Sequence, residues 1–314
     1  MSVPAPSTAS ARPVRHFEMP ASLAGRLRVW RCTIARRVLQ FGVLLAFFGT
    51  LHWGWTVFGQ PLLAGNLSAA KFADVLPFAD PFAVLQMLVG RHALATEALV
   101  GAAVTLGIYA VLGGRVFCAW VCPMNVVTDA AFWLRGRLGL GAGVDLIRLP
   151  SPTRYVVLVL VLVLSALAGV PAFEAFSPIA MLHRELLFGA GLGLTAALGI
   201  FLLDALLLRH GWCGSLCPLG AFWSIVGRTA QVRVAFDDAS CTRCGDCVKL
   251  CPEPRVLHFG NAAASGMIAS GECTNCGRCI AICPESSLRF DLRARIGGAA
   301  RRATASESTP GGPT

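Results

Sequence analysis

Eight of the thirteen cysteines of this chain lie between Cys241 and Pro284, in two copies of one pattern. The first copy places Cys241, Cys244, Cys247 and Cys251 before Pro252, and the second places Cys273, Cys276, Cys279 and Cys283 before Pro284. Both read C-x2-C-x2-C-x3-C-P, the spacing that supplies thiolates to a [4Fe–4S] cluster. A short loop wraps three thiolates around one face of the cubane. The fourth cysteine, expected at the start of a following helix, points away to serve the other cluster. The rule predicts Cys241, Cys244, Cys247 and Cys283 around one cluster, and Cys273, Cys276, Cys279 and Cys251 around a second. Zinc knuckles pair two C-x2-C units across a longer spacer, and disulfides need an oxidising compartment. Neither matches a doubled triplet followed by Cys-Pro.

A second repeat sits upstream. Arg115-Val-Phe-Cys118-Ala-Trp-Val-Cys122-Pro123 and Arg209-His-Gly-Trp-Cys213-Gly-Ser-Leu-Cys217-Pro218 both contain C-x3-C-P, followed by Phe132-Trp133 or Phe222-Trp223. Cysteines at i and i+4 share one side of a helix, so two facing copies would gather Cys118, Cys122, Cys213 and Cys217 into a four-thiol set. Three roles are open for it: a further metal or cluster site, a dithiol redox relay, or a packing motif in which small thiols let helices approach. Two matched pairs, each with a proline behind, favour a redox or metal role. Cys32, alone beside the N-terminal arginines, reads as structural.

The elements that must carry these cysteines are apolar. Hydrophobic residues make up 55% of the chain, charged residues 14%, and mean hydropathy is +0.64, which points to a membrane class. The net charge of +10 would suit nucleic acid, yet the arginines gather beside apolar runs and form no basic patch, so no nucleic-acid partner is expected. Four spans are expected, at about 38–57, 93–114, 154–171 and 188–208, the first being long enough to cross roughly 30 Å of hydrocarbon. Trp53 and Trp55 would mark its far interface.

Seven arginines in residues 1–37 and five in the connection after the second span face only Lys71, Arg91 and Arg184 on the other side. That bias places both termini inside, in a multi-pass protein of a bacterial inner membrane. The expected fold is therefore a membrane α-helical domain with a two-fold repeated C-x3-C-P unit, plus a small α+β two-cluster bacterial-type ferredoxin domain. Its parts are a basic segment at 1–37, a four-span domain at 38–232, a cytoplasmic ferredoxin domain at 233–292 and a disordered tail at 293–314.

Quinones dissolve in the bilayer, and a site that oxidises a quinol needs a proton acceptor near an interface. The outer-side ionisable residues are His52, Asp74, Asp80, His92, Glu97, Glu174, His183, Arg184 and Glu185. His52, His183 and Arg184 are the candidates for a quinol site, because histidine both hydrogen-bonds a hydroxyl and accepts its proton near neutral pH. Asp204 reads as a partner for Arg209 or a neighbouring arginine.

With these pieces placed, the chain resembles the NapH family. The resemblance rests on Gly65-Asn-Leu-Ser68, Asp74-Val-Leu-Pro77, Asp80-Pro81, Gly113 through Asn125, Thr128-Asp129, Ser177-Pro178, His183-Arg184, Cys217-Pro-Leu-Gly220 and Cys251-Pro-Glu-Pro254. It implies a membrane ferredoxin-type subunit of a quinol dehydrogenase that draws on the membrane quinol pool. Electrons would pass toward periplasmic nitrate reductase with a NapG-like periplasmic iron–sulfur partner and a c-type cytochrome. Related membrane cores occur in NosR-type, MauN and RdxA/CcoG-type proteins. A second function therefore stands beside the first: a redox assembly or maintenance factor that delivers reducing equivalents to a periplasmic metalloenzyme.

Overall fold

The longest helix, α1 (Leu23–Trp53), inverts the usual amphipathic rule: it buries Arg36 and Gln40 while exposing Val38, Leu39, Phe41 and Leu45. A soluble helix turns its apolar stripe inward. In this computed structural model residues 16–139, 149–150, 152–189 and 191–296 are described. They divide into a helical body, Ile34–Ala230 with Ser270–Cys276, and a cysteine-rich body that includes Gln231–Ala269 and the residues from Gly277 onward. The expected tail lies, from residue 297, outside the described residues.

In the helical body α1 leads into a hairpin of β1 (Thr56–Val57) and β2 (Gln60–Pro61), then a three-stranded antiparallel sheet of β3 (Leu63–Gly65), β4 (Ala69–Phe72) and β5 (Leu76–Ala79). Asp80 caps α2 (Pro81–Val89), its carboxylate accepting the Phe82 N–H at 3.0 Å. There follow α3 (Thr96–Leu112), α4 (Val116–Trp120), α5 (Met124–Arg137), α6 (Thr153–Ala168), α7 (Ala172–Phe176), α8 (Pro178–Phe188) and α9 (Gly193–Leu202). α9 runs on into a π-turn at Leu203–Leu207; a second π-turn, Trp212–Leu216, precedes α10 (Pro218–Val226).

Among the described residues α1 alone is long and apolar enough to cross a membrane. The other three expected spans correspond to shorter apolar helices, Thr96–Leu112, Thr153–Ala168 and Gly193–Leu207. Their lengths differ from the expected ones for local reasons. Gly113, at φ +125°, ends α3, Gly169 closes α6 in the left-handed region, and α9 loses α-geometry at Leu203.

The cysteine-rich body pairs β6 (Val232–Phe236) antiparallel with β7 (Leu288–Leu292). Between them lie α11 (Asp246–Leu250), α12 (Phe259–Ser265) and α13 (Arg278–Ile282). Val234, Phe236, Val256, Ile268, Ile282 and Leu288 are buried in its core.

Candidate iron–sulfur and redox site

Both cysteine-rich loops have the same backbone. Arg243 and Asn275 adopt positive φ before the second cysteine of each triplet, and Gly245 and Gly277 do so after it, at +80° and +75°. Two left-handed residues so close together curl a loop tightly, and glycine occupies the second at no steric cost. The third cysteine of each motif lies in the five-residue helix that follows, α11 or α13, and the fourth sits at its C-cap, extended. This corrects the expectation that the fourth cysteine opens a helix. The next residue is proline, which disfavours the helical region for the residue before it.

Cys241, Cys244, Cys247 and Cys283 line one cavity of about 60 Å³, jacketed by Phe236, Phe259 and Leu288. These are the four residues that the crossed-ligation rule grouped together. Burial and then the neighbouring Cys244, Cys241 and Cys283 push the Cys247 thiol up to about 11. The bare thiols are thus protonated, and cluster binding would displace those protons. Four thiols from two loops around an apolar-walled space fit a [4Fe–4S] cluster. Among the described residues no three His, Cys, Asp or Glu side chains stand close enough to hold a single metal ion; a cubane is wider than an ion and needs its ligands apart. Of the second expected set, Cys251 and Cys279 belong to the cysteine-rich body, and Cys273 and Cys276 to the helical body.

In the helical body the two C-x3-C-P copies take matching but not identical shapes. Cys118 lies on the single turn of α4, Cys122 follows it, and α5 begins after Pro123. Cys213 lies on the π-turn, and Cys217 caps α10. The paired cysteines therefore do not share one continuous helix; each pair flanks the break that its proline enforces. The two copies agree in how they treat the second sulfur. The backbone N–H groups of Met124 and Asn125 draw the Cys122 thiol down, and those of Leu219 and Gly220 draw Cys217 down. Amides at a helix N-terminus favour negative charge on sulfur.

The four thiols interact electrostatically with one another. Burial, the largest cause, drives Cys122 and Cys213 well above their ordinary value and Cys217 up to about 12. A bare thiol held there is a poor nucleophile. Two buried cations offset an anionic group at this place. Arg115 hydrogen-bonds Cys118 and donates to the Cys213 carbonyl at 2.9 Å, and Arg154 also draws the Cys118 thiol down. The donor set and its cations fit an iron–sulfur cluster, which a set of neutral packing thiols would not require.

Arg115 also donates to the Glu272 carbonyl at 3.0 Å, and the indole of Trp120 donates to the Asn275 carbonyl at 3.1 Å. Arg154 Nη2 lies 3.2 Å from the Glu272 carboxylate, which also accepts from the Tyr155 hydroxyl at 3.0 Å. The loop carrying Cys273 and Cys276 is thus fastened to α4, the turn carrying Cys118. From the sequence Arg115 and Arg154 read only as topology charges. Arg36 and Arg37 behave likewise: both pair with Asp129, while Gln40 holds the Ala119 and Cys122 carbonyls at 3.0 and 3.3 Å. Asp204 caps the second π-turn, its carboxylate accepting the Trp212 N–H at 3.0 Å, and it interacts electrostatically with Arg135.

Of the outer-side candidates, His52 and His183 both lie where α1 meets α8, and Asp80 interacts electrostatically with Glu174. His52 is exposed and bonds the Leu187 carbonyl at 2.8 Å. His183 is 2% exposed, packs edge-on to Phe47 at 4.9 Å, and is lowered by burial to about 4, so it is neutral. Arg184 is exposed on α8. A cavity of about 200 Å³ is lined by Phe47, Asp80, Tyr109, Phe117 and Trp223 among others. Phe117 stacks on Trp223 with ring centres 6.1 Å apart and is next to Cys118 in sequence.

A family profile described as "4Fe-4S binding domain" matches twice, at residues 94–141 and 190–234, so each match contains one C-x3-C-P copy. A second, described as "4Fe-4S dicluster domain", matches 233–284. The chain is 42% identical over 234 residues to the ferredoxin-type protein NapH of Escherichia coli, covering 74% of this chain and 79% of that one. It is 42% identical over 228 residues to the methylamine utilization ferredoxin-type protein MauN of Methylobacillus flagellatus, covering 72% and 78%. NapH of Haemophilus influenzae is 40% identical over 235 residues, covering 74% and 77%. No solved structure matches the chain. Two matches to one iron–sulfur profile, a third to a dicluster profile and this identity over most of its length make the chain a member of the NapH family of ferredoxin-type electron-transfer proteins.

Proposed function

We propose that the protein is a multi-pass iron–sulfur subunit of a quinol dehydrogenase in a bacterial inner membrane. It would take electrons from quinol toward a periplasmic reductase, with periplasmic nitrate reductase as the destination. Support for more than one span comes from the outward faces of α3, α6 and α9. Leu99, Val100, Ile108, Val111, Val159, Leu160, Leu167, Leu194 and Leu198 are all exposed, a surface that water would penalise and hydrocarbon would not. With both termini inside, the sheet and Asp80 fall on the periplasmic side.

The observation that carries the reading is the fastening of the Cys273–Cys276 loop to α4 through Arg115 and Trp120. It puts the C-x3-C-P thiols and two ligands of a dicluster domain in one body. An iron–sulfur cluster supplies one-electron transfer when bound. The chain's own residues compensate its charge through Arg115 and Arg154, exclude water by burial, and hold the ligand loops in register. A NapG-like iron–sulfur protein and a c-type cytochrome are the proposed acceptors.

The test is to add quinol to the oxidised, lipid-reconstituted protein and follow the clusters by electron paramagnetic resonance. Quinol-dependent signals are expected; their absence in a protein that dithionite still reduces would refute the proposal. The equal identity to MauN favours one second reading, a factor that maintains a periplasmic metalloenzyme. In that case Cys118→Ser and Cys217→Ser would leave quinol oxidation intact while the partner enzyme lost its metal or cofactor.

A further inference from the structure

The cavity of about 200 Å³ in the helical body is walled by β3–β5, α3 and α10 and is mostly apolar. It is larger than the roughly 150 Å³ apolar cavity known to admit benzene, so one substituted six-membered ring fits. Its occupant can be narrowed from three features. The rings of Phe47, Tyr109, Phe117 and Trp223 offer flat aromatic faces. Trp223 is 1% exposed, and its buried indole N–H has no hydrogen-bond acceptor among the described residues. An unmet buried donor is costly unless a ligand oxygen meets it. Asp80 supplies a carboxylate in the same wall. Ile108, 41% exposed, both lines the cavity and belongs to the outward apolar face of α3, so entry would be from the lipid side.

We propose that this cavity binds the ring of a membrane hydroquinone, with Asp80 as the acceptor of its protons. This rests on the quinol reading above and gives it a place. Oxidation breaks two O–H bonds and yields the quinone, two protons and two electrons. The electrons leave one at a time to the protein's oxidised iron–sulfur clusters, on the side of the cavity lined by Phe117 and Val121, which neighbour Cys118 and Cys122 in sequence. The protons pass in turn to the Asp80 carboxylate and on to Glu174, which returns them to water. Glu174 is half-buried, interacts electrostatically with Asp80, and accepts from the Ser68 hydroxyl, while the Ser68 carbonyl holds the Asp80 N–H at 2.8 Å. Burial raises Asp80 to about 7, which suits a group that must both take and release a proton.

The test uses the full-length, cluster-loaded protein in lipid nanodiscs. An azido-substituted 1,4-benzoquinone is photolysed and its attachment sites mapped, and affinity for a short-tailed benzoquinone is titrated. Labels are expected on residues 63–80 and 105–121. Ala70→Trp, which fills the cavity from β4, and Ile108→Trp at its rim should each weaken binding at least about tenfold, the loss expected when a well-filled apolar contact is removed. Asp80→Asn keeps the helix cap. It should bind the quinone within about threefold of the parent yet slow quinol-driven cluster reduction by roughly 100-fold, with dithionite reduction unchanged. Labelling at His52 or His183 instead, or unchanged binding in both tryptophan variants, would overturn the site while leaving quinol oxidation standing. If the parent protein neither takes up the label nor is reduced by quinol, the quinol reading falls with it.

Discussion

Asp80→Asn should make the protein more stable at alkaline pH and leave it almost unchanged near pH 4. Burial raises this carboxyl from its ordinary 3.8 to about 7, with Glu174 adding to the rise and the Phe82 N–H opposing it. An acid whose value is raised by folding holds its proton more tightly in the folded state. Its full stability is therefore present below pH 4, and is lost as pH climbs through about 7. At about 1.36 kcal/mol per unit, the loss amounts to about 4 kcal/mol above pH 8. Asparagine does not ionise and can still accept the Phe82 N–H, so it avoids the loss and keeps the cap, itself worth about 1 kcal/mol. Roughly 2–4 °C of Tm accompanies each kcal/mol for a body of this size. Thermal unfolding in detergent should then show the variant about 8–16 °C above the parent at pH 8.5 and within about 4 °C at pH 4.5. A parent and variant whose Tm curves run parallel across that range would refute the buried-carboxylate reasoning, and the proton-acceptor role with it.

Other substitutions test other joints of the structure. Gly114→Ala would put a methyl 1.9 Å from the Trp223 carbonyl and 2.5 Å from the Gly227 nitrogen; backbone cannot yield there, so folded protein recovered from membranes should fall sharply. Arg154→Met strips the Glu272 carboxylate of a partner whose side chain is 0% exposed. It should cost about 3–5 kcal/mol by the usual penalty for a broken buried pair, read as a drop in Tm, and Arg154→Met/Glu272→Leu should recover more than half of it. Iron analysis should find about four irons beyond the roughly eight of two clusters, and Cys122→Ser/Cys217→Ser should remove only that excess. Asp246 is drawn down to about 2, chiefly by Lys249 and then by the Phe17 N–H, with His16 beside it. Asp246→Asn should speed hydrogen exchange at Phe17 without changing iron content.

Much of the site was legible because its signal is local. The C-x2-C-x2-C-x3-C-P spacing acts through chain geometry over a dozen residues, and the grouping of Cys241, Cys244, Cys247 with Cys283 follows from where one proline ends one short helix. The C-x3-C-P repeat was visible for the same reason, although its i, i+4 reading on one helix was not what formed. Prolines 123 and 218 break each copy between its turn and the next helix. Histidines 52 and 183 attracted attention by type alone. One is exposed against a backbone carbonyl, and the other is buried edge-on to Phe47; type does not say which way a side chain faces.

The sequence by itself determined the iron–sulfur chemistry, the pairing of the C-x3-C-P motifs and the apolar character of the helices that carry them, since each is written in spacing and composition. Only the tertiary structure decided what the arginines do. Arg36, Arg115 and Arg154, which a charge count assigns to the aqueous side of a membrane, are at most 2% exposed. There they hold Asp129, the Cys213 carbonyl and Glu272. Tertiary structure likewise decided that Asp80 and Trp223, 143 positions apart in the chain, face one cavity. A buried charge persists only where a partner from a distant segment arrives to meet it, and that arrival is a property of packing which no local pattern records.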